Sequence, residues 1–229
     1  MDAVENWFTL GVRRLLPTPQ LDVDVRDVYR ELDRGRPVGR PWVEICMVAS
    51  VDGSTAVEGR SGALGHPTDS AVLRELRAQA DLVIVGSTTA HLERYGAPSK
   101  PGQRVGVVTR SGNVDPGLDV FRSGAGFLIT TESAPTHGLD AVRAGIDHVD
   151  LCAALEQLEA HVVHAEGGPV LNAALLDAGV VDELNVTISP TVIGGSSRRL
   201  IDGGAEVVRR YTLAHLYEDD GFLFARYVR

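Results

Sequence analysis

The stretch WVEICMVASVDG, Trp42 to Gly53, decides the fold. Its first nine residues are rich in β-branched and apolar side chains and run into Asp52-Gly53, a turn pair, so Trp42 to Ser50 reads as a buried strand. Toward the C-terminus, Val72, Leu73, Leu76 and Ala80 recur at helical spacing, with Thr68 expected as the N-cap and Asp81 after the last turn. LVIVG (Leu82 to Gly86), RVGVVT (Arg104 to Thr109) and GFLIT (Gly126 to Thr130) follow as short apolar runs separated by Gly, Pro and Ser. Strands buried on both faces of a parallel sheet need this composition. A helix over Leu151 to Glu159, a strand HVVHA (His161 to Ala165), and a helix opened by Gly167-Gly168-Pro169 and stopped by Gly179 continue the alternation. DELNVTIS (Asp182 to Ser189) predicts a half-exposed strand with Leu184, Val186 and Ile188 inward. After a Gly/Ser/Arg loop from Gly194 to Gly204, YTLAHLY (Tyr211 to Tyr217) and FLFARYV (Phe222 to Val228) read as an antiparallel pair. The expected class is α/β: a mostly parallel twisted sheet with helices on both faces and a C-terminal antiparallel hairpin, its ligand at the carboxyl ends of the strands.

Toward the N-terminus the pattern thins. Residues 1–40 are mixed in charge and broken by Pro17, Pro19, Gly35, Pro37 and Gly39, with one short helix around Val25 to Leu32. They are expected to form an arm ahead of a single domain, 41–229. The tip, MDAVENWFTL, is acidic and lacks the apolar core of a secretory leader, and no run approaches the roughly 20 apolar residues of a membrane span. Lys plus Arg is 22 against 31 Asp plus Glu, a net charge of -9, which repels a polyphosphate backbone and argues against nucleic acid as a partner. Cys46 and Cys152 lie far apart with no Cys or His at ligand spacing, so neither a disulfide framework nor a metal site is expected, and a reducing cytoplasm fits.

Three strand ends carry the candidate chemistry: Ala49-Ser50-Val51-Asp52-Gly53, Gly86-Ser87-Thr88-Thr89 and Glu166-Gly167-Gly168-Pro169. Small residues there let a backbone approach a ligand, and free amides at a helix start favour a phosphate. Asp52 and Glu166 stand where a general acid or a hydroxyl-binding group belongs. Thr109-Arg110-Ser111 offers one cation and two hydroxyls to a phosphate monoester. His164-Ala165-Glu166 matches half of the zinc deaminase signature, but no P-C-x-x-C completes it, which makes the match a coincidence. No G-x-S-x-G or G-x-x-x-x-G-K-[ST] occurs, and no G-x-G-x-x-G follows the first strand, against serine hydrolases, P-loop enzymes and standard dinucleotide folds. Gly194 to Arg199 reads as a surface loop, and His66 and His91 as solvent-facing.

Met47-Val-Ala-Ser-Val-Asp-Gly53, Gly59-Arg-Ser61, Leu82-Val-Ile-Val-Gly-Ser-Thr-Thr89, Glu166-Gly-Gly-Pro169 and Val181-Asp-Glu-Leu184, with Ser189-Pro190 and Gly194-Gly195, resemble the pyrimidine reductase family of riboflavin biosynthesis. The resemblance runs from Trp42 to the C-terminus. It implies a dihydrofolate-reductase-like fold and NADPH-dependent reduction of 5-amino-6-(5-phosphoribosylamino)uracil to the ribityl form, with hydride delivered to the sugar C1 carbon. By the same resemblance Ser61 and Arg77 contact the substrate phosphate, and Glu93 and Glu166 contact the substrate. Asp52, Glu93 and Glu166 are the catalytic candidates. Val48, Ala49, Ala63, Gly86, Thr89 and the segment Gly167, Gly168, Pro169, Val170, Leu171 contact the cofactor, and Thr109, Arg110 and Ser111 hold the adenosine 2′-phosphate. The family implies a homodimer. Bifunctional members often carry a lysine where this chain has Cys46 and an Asp where it has Glu93, so their proton-transfer arrangement does not carry over. A pterin reductase of the same fold and a non-catalytic NADP-binding module stay open beside this reading.

Overall fold

The computed structural model describes residues 11–30 and 32–229; the acidic tip, residues 1–10, and Glu31 lie outside the described residues. In chain order the elements begin with β1 (Arg13–Leu16), α1 (Val25–Arg30), β2 (Trp42–Ser50), α2 (Pro67–Gln79), β3 (Leu82–Gly86) and α3 (Ser87–Leu92). β4 (Arg104–Val108), α4 (Asp119–Arg122), β5 (Gly126–Thr130), β6 (Ala141–Arg143) and α5 (Leu151–Glu156) follow. The chain ends with β7 (Val162–Ala165), α6 (Pro169–Asp177), β8 (Glu183–Ser189), β9 (Thr212–Asp219) and β10 (Phe222–Val228). All strands join one sheet in the order β1-β9-β10-β8-β2-β7-β3-β4-β5-β6. From β8 through β6 every pairing is parallel, and β1, β9 and β10 add an antiparallel end. This is the expected α/β class.

Both faces of the sheet are covered, which is why its central strands are apolar throughout. One face packs Val43, Ile45, Ile84 and Val163 against α5 and α6 through Leu155, Leu171 and Leu175. On the outer strands Val83, Val85 and Val107 pack with Ala90, Val120 and Phe121 of α3 and α4. A third cluster joins Val25 and Tyr29 of α1, Val72 and Leu76 of α2, and Tyr217 and Phe224 of the hairpin. Within residues 1–40, expected as an arm, the described β1 and α1 pack on the sheet: β1 pairs with β9, and Tyr29 is 1% exposed against Tyr217. A four-residue strand, RRLL, has too few residues to show a period in sequence.

Local readings change in three places. His66, not Thr68, caps α2: its ring accepts the Thr68 N–H at 3.2 Å, and Pro67 takes the first helical position. Leu151 starts its helix as expected, with Asp150 accepting the Ala153 N–H, but α5 ends at Glu156. In β8 the alternation is present with the faces reversed, since Glu183, Asn185, Thr187 and Ser189 are buried while Leu184, Val186 and Ile188 are half-buried. Paired charges make that burial tolerable: Glu183 accepts from Arg226 at 2.9 Å, Asn185 at 2.9 Å and Trp42 at 3.2 Å. The hairpin closes through Asp220 and Gly221, both at positive φ, as a two-residue turn between twisted strands requires.

Candidate active site

The carboxyl ends of β2, β7, β3 and β4 open on a cleft of about 1620 Å³. Its floor forms where α2 crosses the end of β7. Asp69, Leu73 and Arg77 follow one another at four-residue spacing, so one face of α2 turns all three into the cleft. Glu166 continues β7, its N–H held by the Ile84 carbonyl at 3.0 Å. Arg77 and Glu166, 89 positions apart in sequence, meet in a fork: Nε donates to Oε1 at 2.6 Å and Nη2 to Oε2 at 2.5 Å. The same Nη2 reaches the Tyr95 hydroxyl at 3.3 Å. Burial pushes the Glu166 carboxyl up, Arg77 pulls it down, and the net displacement is upward. Cys46 lines the same floor, and burial raises its thiol well above the ordinary range, so it stays protonated.

One wall carries Gly86 and Gly168, with Gly167 packed behind it, and at the last two a side chain has no room. Gly86 donates its N–H to the Gly167 carbonyl at 2.7 Å, bringing the β3–α3 and β7–α6 junctions into contact. A Cβ on Gly168 would lie 2.5 Å from Thr89 Oγ1, and one on Gly167, at φ +83°, would lie 2.9 Å from Met47 Sδ. Val48, Thr89, Pro169, Val170 and Leu171 complete this wall. On the rim, Ser61 N–H points at Glu93 Oε1 at 3.5 Å, which joins two candidates from different loops. Thr109 and Arg110 border the cleft beyond β4; Arg110 is exposed and, among the described residues, makes no ion pair.

Five candidates stand outside the cleft lining. Gly167 packs behind the wall, Ala49 is buried at 3% exposure, and Ala63 faces solvent in a short 3-10 turn, Gly62–Leu64. Ser111 Oγ accepts the Asn113 N–H and so closes its own turn. Asp52 ties loops together: it accepts from Ser50 Oγ at 2.5 Å, Gly194 N at 2.7 Å and Ile193 N at 3.2 Å. The Ser50 hydroxyl and these two amides hold its carboxyl down at about 2, which suits a clamp and not a proton donor. The Gly194 to Arg199 loop is also more than surface. Thr55 Oγ1 donates to the Arg198 carbonyl and Ser197 Oγ to the Ala56 carbonyl, both at 2.9 Å, and Ser196, Ser197 and Arg198 line the cleft.

Among the lining residues missed from sequence are Asp69, Leu73, Tyr95 and the stretch His148 to Cys152 before and within α5. The spacing of Asp69, Leu73 and Arg77 carries the first two; Tyr95 and the α5 stretch carry no local signal. Among the described residues no cluster of three His, Cys, Asp or Glu side chains could hold a metal, and no helix is long and apolar enough to cross a membrane.

The chain is similar to several known proteins. Over 204 aligned residues the chain is 31% identical to the 2,5-diamino-6-ribosylamino-4(3H)-pyrimidinone 5′-phosphate reductase of Methanothermobacter thermautotrophicus, covering 76% of this chain and 94% of that protein. The Aquifex aeolicus protein of the same name is 26% identical, with 77% and 89% covered. Escherichia coli riboflavin biosynthesis protein RibD is 27% identical over 71% of this chain, which spans 52% of that longer protein. Among solved structures, a pyrimidine reductase-like protein from Corynebacterium diphtheriae superposes with a TM-score of 0.77 at 22% identity, over 90% of this chain and 98% of that one. Enterococcus faecalis dihydrofolate reductase shares the fold at a TM-score of 0.50 and 15% identity, over 82% and 96%. With residues 41–222 matching its pattern, from the first buried strand through the hairpin turn, the chain belongs to the RibD C-terminal domain family.

Proposed function

We propose that this chain is an NADPH-dependent reductase of riboflavin biosynthesis that converts 5-amino-6-(5-phosphoribosylamino)uracil to its ribitylamino form. The observation that carries the reading is the Arg77–Glu166 fork on the cleft floor, a buried acid beside a cation, facing the glycine wall. Two of the relatives that match most of their own length are named for the 2,5-diamino-pyrimidinone phosphate. That favours a second substrate, identical in its ribose phosphate and differing in the pyrimidine ring.

When bound, NADPH supplies a hydride to the sugar C1 carbon of the opened, imine-like substrate. The wall suits it, because Gly86 and Gly168 line the cleft without a side chain and let a ligand approach the backbone. Thr89, Val48 and the start of α6 from Pro169 to Leu171 hold the cofactor. Arg110 is free to pair with a 2′-phosphate beside Thr109, while Ser111 is occupied with its own turn. Glu166 and Glu93 orient the substrate. Arg77 spends Nε and Nη2 on Glu166 and Tyr95, and its two Nη1 protons remain for the substrate phosphate, with Ser61 beside it. Asp52 takes no part in the chemistry. A cytoplasmic homodimer belongs to the same proposal.

Loss of absorbance at 340 nm with the uracil, the diamino-pyrimidinone and dihydrofolate in one assay tests it. Reduction of one or both ribose phosphates ahead of dihydrofolate is expected, with the faster of the two naming the substrate. Preference for dihydrofolate, or no oxidation of NADPH with either phosphate, overturns the assignment.

A further inference from the structure

The H-x-E match that sequence alone makes a coincidence has a structural consequence. His164 and Glu166 stand on one face of β7, and Glu44 faces His164 across the β2–β7 pairing. His164 is fully buried, its Nδ1 2.8 Å from Glu44 Oε1. Its Nε2 lies 3.5 Å from Glu166 Oε1 and has no hydrogen-bond partner among the described residues. Around this pair β2 contributes Glu44 and Cys46, α2 contributes Arg77 and, beside Cys46, Asp69, and the segment before β2 contributes Arg34, 2.5 Å from the second oxygen of Glu44. Beyond Arg34 stands Glu183 of β8, at 3.6 Å.

Glu44 already accepts from Arg34, so the ring nitrogen facing it must be the donor, Nδ1–H. A neutral ring then aims a bare lone pair from Nε2 at a carboxylate oxygen. Two acceptors 3.5 Å apart in a dry interior attract only when a proton lies between them, as imidazolium with carboxylate or imidazole with carboxylic acid. With the ring protonated, the signs along Arg77, Glu166, His164, Glu44 and Arg34 alternate without exception. The upward displacement of the Glu166 carboxyl by burial works in the same direction.

We propose that His164 and Glu166 hold one proton between them, and that His164 is a positioning residue that sets how readily Glu166 gives this proton to a substrate on the cleft floor. The inference rests on the reductase reading above. In that reaction hydride from the reduced nicotinamide, which is thereby oxidised, adds to the carbon of the sugar C=N bond. The π pair moves to nitrogen, and nitrogen takes the proton from Glu166. The pair is left one proton short and recovers it from solvent through the cleft.

Two measurements test it. The first is 15N NMR of the histidine rings in the protein without substrate or cofactor, with the His164 signal assigned by its loss in His164→Gln. At neutral pH the wild-type His164 Nε2 signal lies well upfield of a bare imidazole nitrogen, and in Glu166→Gln it moves toward that of a bare nitrogen, because the partner that shares the proton is gone. An identical Nε2 signal in both proteins overturns the shared proton. The second is the pH profile of kcat. In His164→Gln the basic limb moves to lower pH by about one unit or more, with KM for NADPH unchanged within about twofold, since Arg77 alone then governs Glu166. A uniform loss at every pH marks a merely structural histidine and overturns the positioning role. If His164→Gln does not fold, the Glu166→Gln spectrum still decides, with the wild-type His164 signal assigned through its contact with Glu44. Failure of wild type to reduce either pyrimidine phosphate overturns the reductase reading alone, because the ring spectrum is recorded without substrate.

Discussion

Arg110 is an exposed cation at the mouth of the cleft, and among the described residues it has no ion-pair partner to give up before binding an anion. A charge-assisted hydrogen bond to the 2′-phosphate contributes about 1.5–3 kcal/mol, so Arg110→Ala weakens NADPH by about tenfold or more and leaves NADH nearly unchanged. Fluorescence titration with both cofactors checks this, and equal loss with the two would remove Arg110 from the cofactor site. Asp52 shows the opposite relation between sequence and structure. An acid at a strand end next to a cleft has the composition of a catalytic group, yet three donors occupy it, two of them amides some 140 positions away in sequence. Those amides come from the Gly194 loop, and nothing near Asp52 in the chain announces them. Glu166 was legible because Gly-Gly-Pro follows it directly, whereas its partner Arg77 lies on a helix whose exposed and buried faces only tertiary packing distinguishes.

The junction between β7 and α6 depends on the absence of two methyl groups. An alanine at Gly168 would place its Cβ 2.5 Å from Thr89 Oγ1 and 3.9 Å from Thr89 Cβ. Gly168→Ala is therefore expected to cost about 1–3 kcal/mol in overpacking and to push α3 away from the glycine wall, weakening NADPH along with stability. Removing the Thr89 hydroxyl and methyl as well, in Gly168→Ala/Thr89→Ala, leaves an ordinary contact and recovers most of the stability in urea unfolding. A double variant no better than the single would show that the clash is elsewhere. At this scale the sequence is informative: β2, β3, β4, β5 and β7 are short apolar runs because each is covered on both faces, and Gly179, at φ +70°, ends α6 where its position implied. The elements that escape reading are short or polar. β1 and β6 have four and three residues, and β8 buries the side chains that hydropathy assigns to solvent.

The reversed face of β8 is explained only by the molecule as a whole, where the strands from the two ends of the chain converge on Glu183. Arg226 arrives from β10, Arg34 from the segment before β2, and Trp42 and Asn185 add neutral donors. Burial pushes the Glu183 carboxyl up, but Arg226 first and Arg34 after it outweigh burial, and the net displacement is downward. A carboxyl displaced downward contributes stability above its unfolded value, near 4.5, and loses that contribution as pH falls through the folded one. Taking away the arginine reverses the balance. In Arg226→Met the carboxylate stays buried with its nearest cation gone, which is expected to cost about 3–5 kcal/mol at pH 7. Protonation then becomes the cheaper state for Glu183, so the gap to wild type narrows as pH is lowered from 7 toward 5. Adding Glu183→Gln keeps the acceptor for Trp42 and removes the stranded charge, and the double variant recovers most of the loss at pH 7. Urea unfolding of the three proteins at both pH values reads these differences directly. A loss under about 1 kcal/mol in the single variant, or a loss that stays constant with pH, would mean that the Glu183 charge is satisfied without Arg226 and that the antiparallel end of the sheet is held by its apolar side chains alone.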